Sequence, residues 1–255
     1  MLLFRKIFLS GFTTVTVILA AFGSIGSQST TSTTTIGKIN FILGKEFEVT
    51  IRHTSDAKWF PVRLKMDIRR GDRIKTAKET RCEIKLNDGS IIRMGENSEF
   101  DFQQSNLSKS TRQVEAGLSI GKIWAVVTKW VNPKDQFSVK SPTAVCAVRG
   151  TIYRMEADST TRVAVYDGQV DVGPTQDLRQ QLQQQRPPGP PVQVPGPTQV
   201  PGPFQVSLEQ WVRLVEGYQM EVRNNGRYAK TKIDSTAEAQ LDWVKWNKER
   251  DRLLR

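Results

Sequence analysis

The reading of the fold turns on F-S-V-K-S-P-T-A-V-C-A-V-R-G-T-I-Y-R-M, residues Phe137–Met155. Two extended segments, Ala144–Val148 and Thr151–Met155, flank the tight Arg149-Gly150-Thr151 step. Val, Ile, Tyr and Thr favour strands, and glycine allows a turn or bulge that a side chain would forbid. Ser141-Pro142 opens the unit, where proline removes no ladder hydrogen bond.

The same rhythm extends outward in both directions. Upstream, Phe47, Val49 and Ile51 alternate with Glu46, Glu48, Thr50 and Arg52, a period of two. Cys82, Ile84 and Leu86 share a face and run into Asn87-Asp88-Gly89-Ser90, a strong turn signal because Asn-Asp-Gly sequences tolerate positive φ. Downstream, Arg162–Tyr166 leads through Asp167-Gly168 into Gln169–Val172. Many short strands divided by such turns predict a mainly β fold, a solenoid-like roll or sandwich. The glycine spacing is too irregular for a strict repeat.

These residues resemble the FecR domain, the extracytoplasmic β domain of bacterial iron-citrate-type signalling regulators. The resemblance rests on Arg70-Gly71-Asp72 with Thr76, Asp88-Gly89-Ser90, Gly117, Ser141-Pro142-Thr143-Ala144, Arg149-Gly150-Thr151 and Asp167-Gly168 in order. It covers 36–173, with 207–223 resembling a closing strand pair. It implies a β-rich, solenoid-like fold and no enzymatic activity, with Gly71, Asp72, Thr76, Asp88, Gly89, Ser90, Pro142, Arg149, Gly150, Thr151 and Gly168 as structural motif residues. Members of that family hold a sigma factor through a cytoplasmic segment ahead of one membrane span. Here six residues precede the apolar run, so the expectation is the domain without that segment.

The N-terminus reads as a targeting element. Arg5 and Lys6 precede twenty uncharged residues, Ile7–Gly26, which end in small residues. A basic start, an apolar run and a small-residue end define a signal peptide over 1–26; an uncleaved anchor is the alternative. Either reading places the rest outside the cytoplasm, in the periplasm or cell envelope. Residues 27–35 form a Ser/Thr spacer. The chain's net charge is +11, and removing Arg5 and Lys6 leaves a surplus of nine spread over the remainder. Scattered positive charge outside the cytoplasm points away from nucleic acid and toward an envelope protein or a cell-wall polymer.

Residues 174–206 change composition. Eight of the twelve prolines fall between Pro187 and Pro203, and Q-V-P-G-P-T (193–198) is nearly repeated by Q-V-P-G-P-F (199–204). Such sequence favours extended polyproline conformations, so a disordered loop is expected. Ser235-Thr236-Ala237-Glu238 matches a capping box with Ser235 as N-cap, and one basic amphipathic helix is expected over 235–255. Trp243, Trp246 and Arg250 on it either pack on the β domain or form a surface contact with a membrane or the cell wall.

Little catalytic chemistry is present. The single histidine, His53, argues against histidine-based triads or metal sites, and no phosphate-cradling loop or nucleophile motif occurs. Asp88, Glu96, Glu99 and Asp101 lack the spacing of a calcium loop. Arg149 either satisfies turn carbonyls or receives an anionic ligand. Cys82 and Cys146 are either core residues or, given export, a disulfide. Neither an enzyme nor a cofactor is expected. The readings are an exported sensing or interaction module, a structural envelope protein that binds peptidoglycan or polysaccharide, or a membrane-anchored subunit of a signalling assembly.

Overall fold

The computed structural model describes residues 35–45, 47–107, 112–129, 132, 134–184, 206–207 and 210–253. Residues 1–26, read as a targeting segment, and the repeated proline motifs lie outside them. Strands run in chain order as β1 (Thr35–Leu43), β2 (Val49–Arg52), β3 (Phe60–Pro61), β4 (Asp67–Arg69), β5 (Arg73–Thr76) and β6 (Arg81–Leu86). Next come β7 (Ile91–Met94), β8 (Glu99–Leu107), β9 (Arg112–Val126), β10 (Gln136–Lys140), β11 (Ala144–Val148) and β12 (Ile152–Ala157). After β13 (Thr160–Asp167) and β14 (Gln169–Pro174) comes helix α1 (Gln176–Gln184). The rest is β15 (Val206–Ser207), β16 (Val212–Val215), β17 (Tyr218–Arg223), β18 (Arg227–Lys232), α2 (Ser235–Gln240) and α3 (Asp242–Leu253).

One mixed sheet contains all these strands, and β9 is its pivot. Its first part pairs with β8 and, in parallel, with β10. From Gly121 onward it pairs with β12 and β7 instead. Two ladders therefore share one strand: β3-β2-β5-β8-β9-β10-β11-β14-β16, and β4-β1-β6-β7-β9-β12-β13-β17-β18-β15. Gly121 makes the transfer possible. Its φ is +96°, and a Cβ there would lie 2.4 Å from the Ser98 backbone. The mainly β expectation is met. Stacked solenoid coils would pair in parallel, whereas β9–β10 is the only parallel pairing among the described residues.

Both ladders turn apolar faces onto one core, which includes Ile39, Ile84 and Ile92 from one and Ile51, Phe100 and Val139 from the other. Burial alternates along β2, β5 and β11, as one-sided strands require. In β7 every residue is buried, and so are Cys82-Glu83-Ile84, Ile123-Trp124-Ala125 and Tyr153-Arg154-Met155. These strands are covered twice, by the core on one side and by α2–α3 on the other.

Beneath those helices the register aligns a transverse row. Phe41 stands opposite Glu83, Glu83 opposite Arg93, Arg93 opposite Trp124, and Trp124 opposite Arg154. Glu83 and Arg93 are fully buried and bond at 2.6 Å. From α3, Arg250 reaches both Glu83 oxygens at 3.0 and 3.1 Å, while Asp251 accepts from Arg93 at 2.6 Å and from the Trp124 indole at 3.1 Å. From α2, Glu238 accepts from Arg154 at 2.7 Å and from the Tyr166 hydroxyl at 2.6 Å. Trp243 and Val244 form a small second core with Trp124, flanked by Ile152 and Tyr166.

Several local readings change. Phe47 does not join Val49 and Ile51 in the core; it is 67% exposed and sits in a turn with φ +71°. Asp234, not Ser235, caps α2, accepting from the Thr236 and Ala237 amides at 2.9 and 3.1 Å. Glu238 is thereby released from the capping box and turns inward to Arg154. The expected single helix is two, divided at Leu241, which is extended. Helix α1 also stands in the stretch read as a loop, with Leu178 buried and Leu182 within reach of Gly226. No described helix is long and apolar enough to cross a membrane.

Candidate functional site: a rim of motif turns

Three of the motif turns meet. Asp88 accepts from the Ser90 amide at 3.0 Å and from its hydroxyl at 2.7 Å, which closes the turn around Gly89 at φ +90°. Thr128, just past β9, bonds both Asp88 Oδ2 and Ser90 Oγ. The neighbouring Lys129 lies against Gly150, where a Cβ would come within 2.4 Å of its side chain. Gly150 in turn faces Gly168, whose Cβ would fall 2.7 Å from the Gly150 carbonyl oxygen, and Thr151 Oγ1 donates to the Gln169 carbonyl at 2.8 Å. Glycine at 150 and 168 thus lets two turns clasp without a gap.

This rim divides two clefts. One, of about 420 Å³, is lined by Ile91, Val126, Lys129, Thr151, Asp167 and, from α3, Asp251. The other, of about 500 Å³, is polar and takes Lys134, Asp135, Arg149, Gln169, Asp171 and Arg213. Arg149 is exposed here, not buried beneath a turn. Arg213 holds Asp171 at 2.8 Å. Three cations against two carboxylates leave the second cleft with a surplus of positive charge.

The other motif residues serve separate turns. Asp72 is buried, accepts from the Arg69 amide at 2.8 Å and lies 2.7 Å from His53 Nδ1. The Gly71 amide donates to the Phe102 carbonyl, with Gly71 at φ +85°. Thr76 Oγ1 donates to the Gly95 carbonyl at 2.6 Å. Pro142 stands in the β10–β11 turn, where Ser141 and Thr143 both meet the Thr161 hydroxyl. The four acids do not share a site: Glu96 meets the Glu79 amide and Lys122, Glu99 meets Arg73 and Lys75, Asp101 bonds Gln103, and Asp88 stays in its turn. No metal-holding cluster occurs among the described residues.

Cys82 and Cys146 are free and buried, so the disulfide considered from export is not formed. Burial pushes the Cys82 thiol up to about 12, with nearby Glu83 adding to the rise, and burial raises Cys146 as well. Trp243 is buried, Trp246 half-buried and Arg250 engaged with Glu83, so all three face the protein itself. Sequence reasoning missed Glu83, Arg93, Trp124, Glu238 and Asp251. The available signal was a set of charges on the non-core positions of β6, β7 and β12, beside a helix that carries two tryptophans.

Fold and site define a non-repetitive β domain organised around glycine turns. Residues 72–171 match the family model described as FecR protein, and this span contains all three rim turns. Among solved structures, the chain is similar to two crystal structures of a "putative anti-sigma factor" from Parabacteroides distasonis. Identities are 18% and 19%, covering 64% and 66% of this chain and 61% and 64% of those chains, each with a TM-score of 0.44. The chain thus spans less than two thirds of their length. No curated protein matches.

Proposed function

We propose that this chain is a non-enzymatic, exported FecR-like module that senses or binds a partner outside the cytoplasm through the rim of motif turns. The supporting observation is that turns distant in sequence, at Gly89, Gly150 and Gly168, converge between two clefts within the residues that match the family. Rigid turns on a β scaffold are suited to presenting a fixed recognition surface. The basic start and apolar run of residues 1–26 support export. Mass spectrometry of the N-terminus in each cell fraction tests this: a start near residues 23–28 in the soluble extracytoplasmic fraction supports a secreted module. An intact Met1 in the membrane fraction makes the segment an anchor, and a cytosolic protein overturns the reading. Photo-crosslinker at Gln169 or Lys134 is then expected to capture the partner, with the same group at Lys38 giving none.

A second reading is favoured by the cationic surplus at Lys134, Arg149 and Arg213: contact with an anionic envelope polymer. Binding to isolated cell-wall sacculi that weakens with added salt would favour it, since exposed charge contacts are screened.

A further inference from the structure

Across β14, β11, β10, β9 and β8 the register sets Gly173 opposite Val145, Val145 opposite Lys140, Lys140 opposite Gly117, and Gly117 opposite Asp101. The next residues along each strand, Val172, Cys146, Val139, Ala116 and Phe100, belong to the core, so this row lies on the outer face. At one end Trp211 lies flat on Gly173, where a Cβ would fall 2.7, 2.8 and 2.9 Å from three atoms of the indole. Trp211 is 49% exposed, which leaves the other face of its ring open. At the other end is a cleft of about 220 Å³, lined by Gly117, Asp101, Gln103, Ser119, Lys140 and Pro142. A Cβ at Gly117 would collide with Asp101 Oδ1 and lie 2.9 Å from Gln103 Nε2, so glycine keeps this space clear. Gly173 and Gly117 are three strand spacings apart, about 14 Å, with Val145 and Lys140 between them.

We propose that this row binds a linear, uncharged glycan strand. One sugar ring stacks on Trp211, and the chain runs over Val145 to set the hydroxyls of a later ring in the Asp101–Gln103 cleft. A pyranose ring is apolar on its C–H faces and polar at its edge. An indole backed by glycine meets the apolar face. Asp101 accepts, Lys140 donates, and Gln103 and Ser119 do both, which suits hydroxyls that themselves donate and accept. Charge selects the class of chain. Lys140 and Asp101 offset each other along the row, and Arg73 beyond them is engaged by Glu99 at 3.3 Å. The row therefore has no cationic surplus to hold a polyanion, in contrast to the cleft at Lys134, Arg149 and Arg213. This surface is separate from the rim and shares with the proposed function only its place outside the cytoplasm.

The test titrates the full chain with chitotetraose, a short uncharged β-linked chain, and with N-acetylglucosamine, its single ring, by isothermal titration calorimetry. Because two contacts act on one chain, the tetramer is expected to bind at least about tenfold more tightly than the single ring. Its affinity is expected to stay the same between low and high salt. Trp211→Ala is expected to weaken tetramer binding about tenfold, and Gln103→Ala about threefold. Arg213→Ala, in the basic cleft, is expected to leave it unchanged. Thermal melting checks that each variant folds, and the exposed Gln103 carries the test if Trp211→Ala does not. Absence of tetramer binding, equal affinity for the single ring, or unchanged affinity in the variants that fold overturns the proposal. So does binding that salt or Arg213→Ala removes, which would assign the glycan to the basic cleft and leave the proposed function standing.

Discussion

The two apolar contacts of this protein are built on different principles. In the core that the ladders share, Phe100 and Phe102, both of β8, meet edge to face at 5.2 Å among other hydrophobic residues. Between sheet and helix, a buried guanidinium and carboxylate share space with two tryptophans and a valine. The inner core is held by buried apolar area, whose attraction is not directional. The outer contact is held by complementary charge, where losing one partner strands the other.

The comparison is sharpened first by Phe100→Ala, expected to cost about 4 kcal/mol through lost contact and a residual cavity, read from urea unfolding. Next, Glu83→Leu removes the carboxylate that Arg93 and Arg250 share, leaving Arg93 only Asp251, and is expected to cost about 3 kcal/mol. Combining Glu83→Leu with Arg93→Met should cost less than Glu83→Leu alone; an additive double variant would break the distinction between the two contacts. Tyr166→Phe removes one hydrogen bond to Glu238 and leaves Arg154 in place, so about 1–2 kcal/mol is expected. Lys38→Ala, an exposed pair with Asp67, should change stability by less than about 1 kcal/mol.

Acid should act on the outer contact. Burial alone would raise the Glu83 carboxyl, but hydrogen bonds from Arg250, Arg93 and Asn40 outweigh it and hold the group below its ordinary value of 4.5. A depressed folded value means that its contribution is present above the unfolded value and is lost as pH falls through the folded one. Stability should therefore decline below pH 4.5, and Glu83→Leu should flatten that decline in pH-dependent thermal melts. The cysteines supply a separate check: the native protein should resist thiol labelling, and both thiols should react once denatured.

Much of the inner architecture was legible from alternation. Cys82, Ile84 and Leu86 do face the core, and Asp88-Gly89 does turn between strands. Phe47 failed because a turn with positive φ precedes β2, which alternation does not register. The outer contact was hidden for a physical reason. Glu83, Arg93 and Arg154 occupy the positions where a one-sided sheet puts polar residues, so only a covering layer distinguishes them from solvated charge. The convergence of Gly89, Gly150 and Gly168 was likewise out of reach, because it depends on pairings between distant strands.

Gly121 carries a kinetic consequence. Since one strand serves both ladders, neither can close until β9 has found β8 and β10 at one end and β7 and β12 at the other. Folding must wait on these non-local pairings, which slows it as high contact order does. Once formed, the two ladders are expected to melt as a single cooperative unit, and a side chain at position 121 would act on the speed of assembly as much as on the final structure.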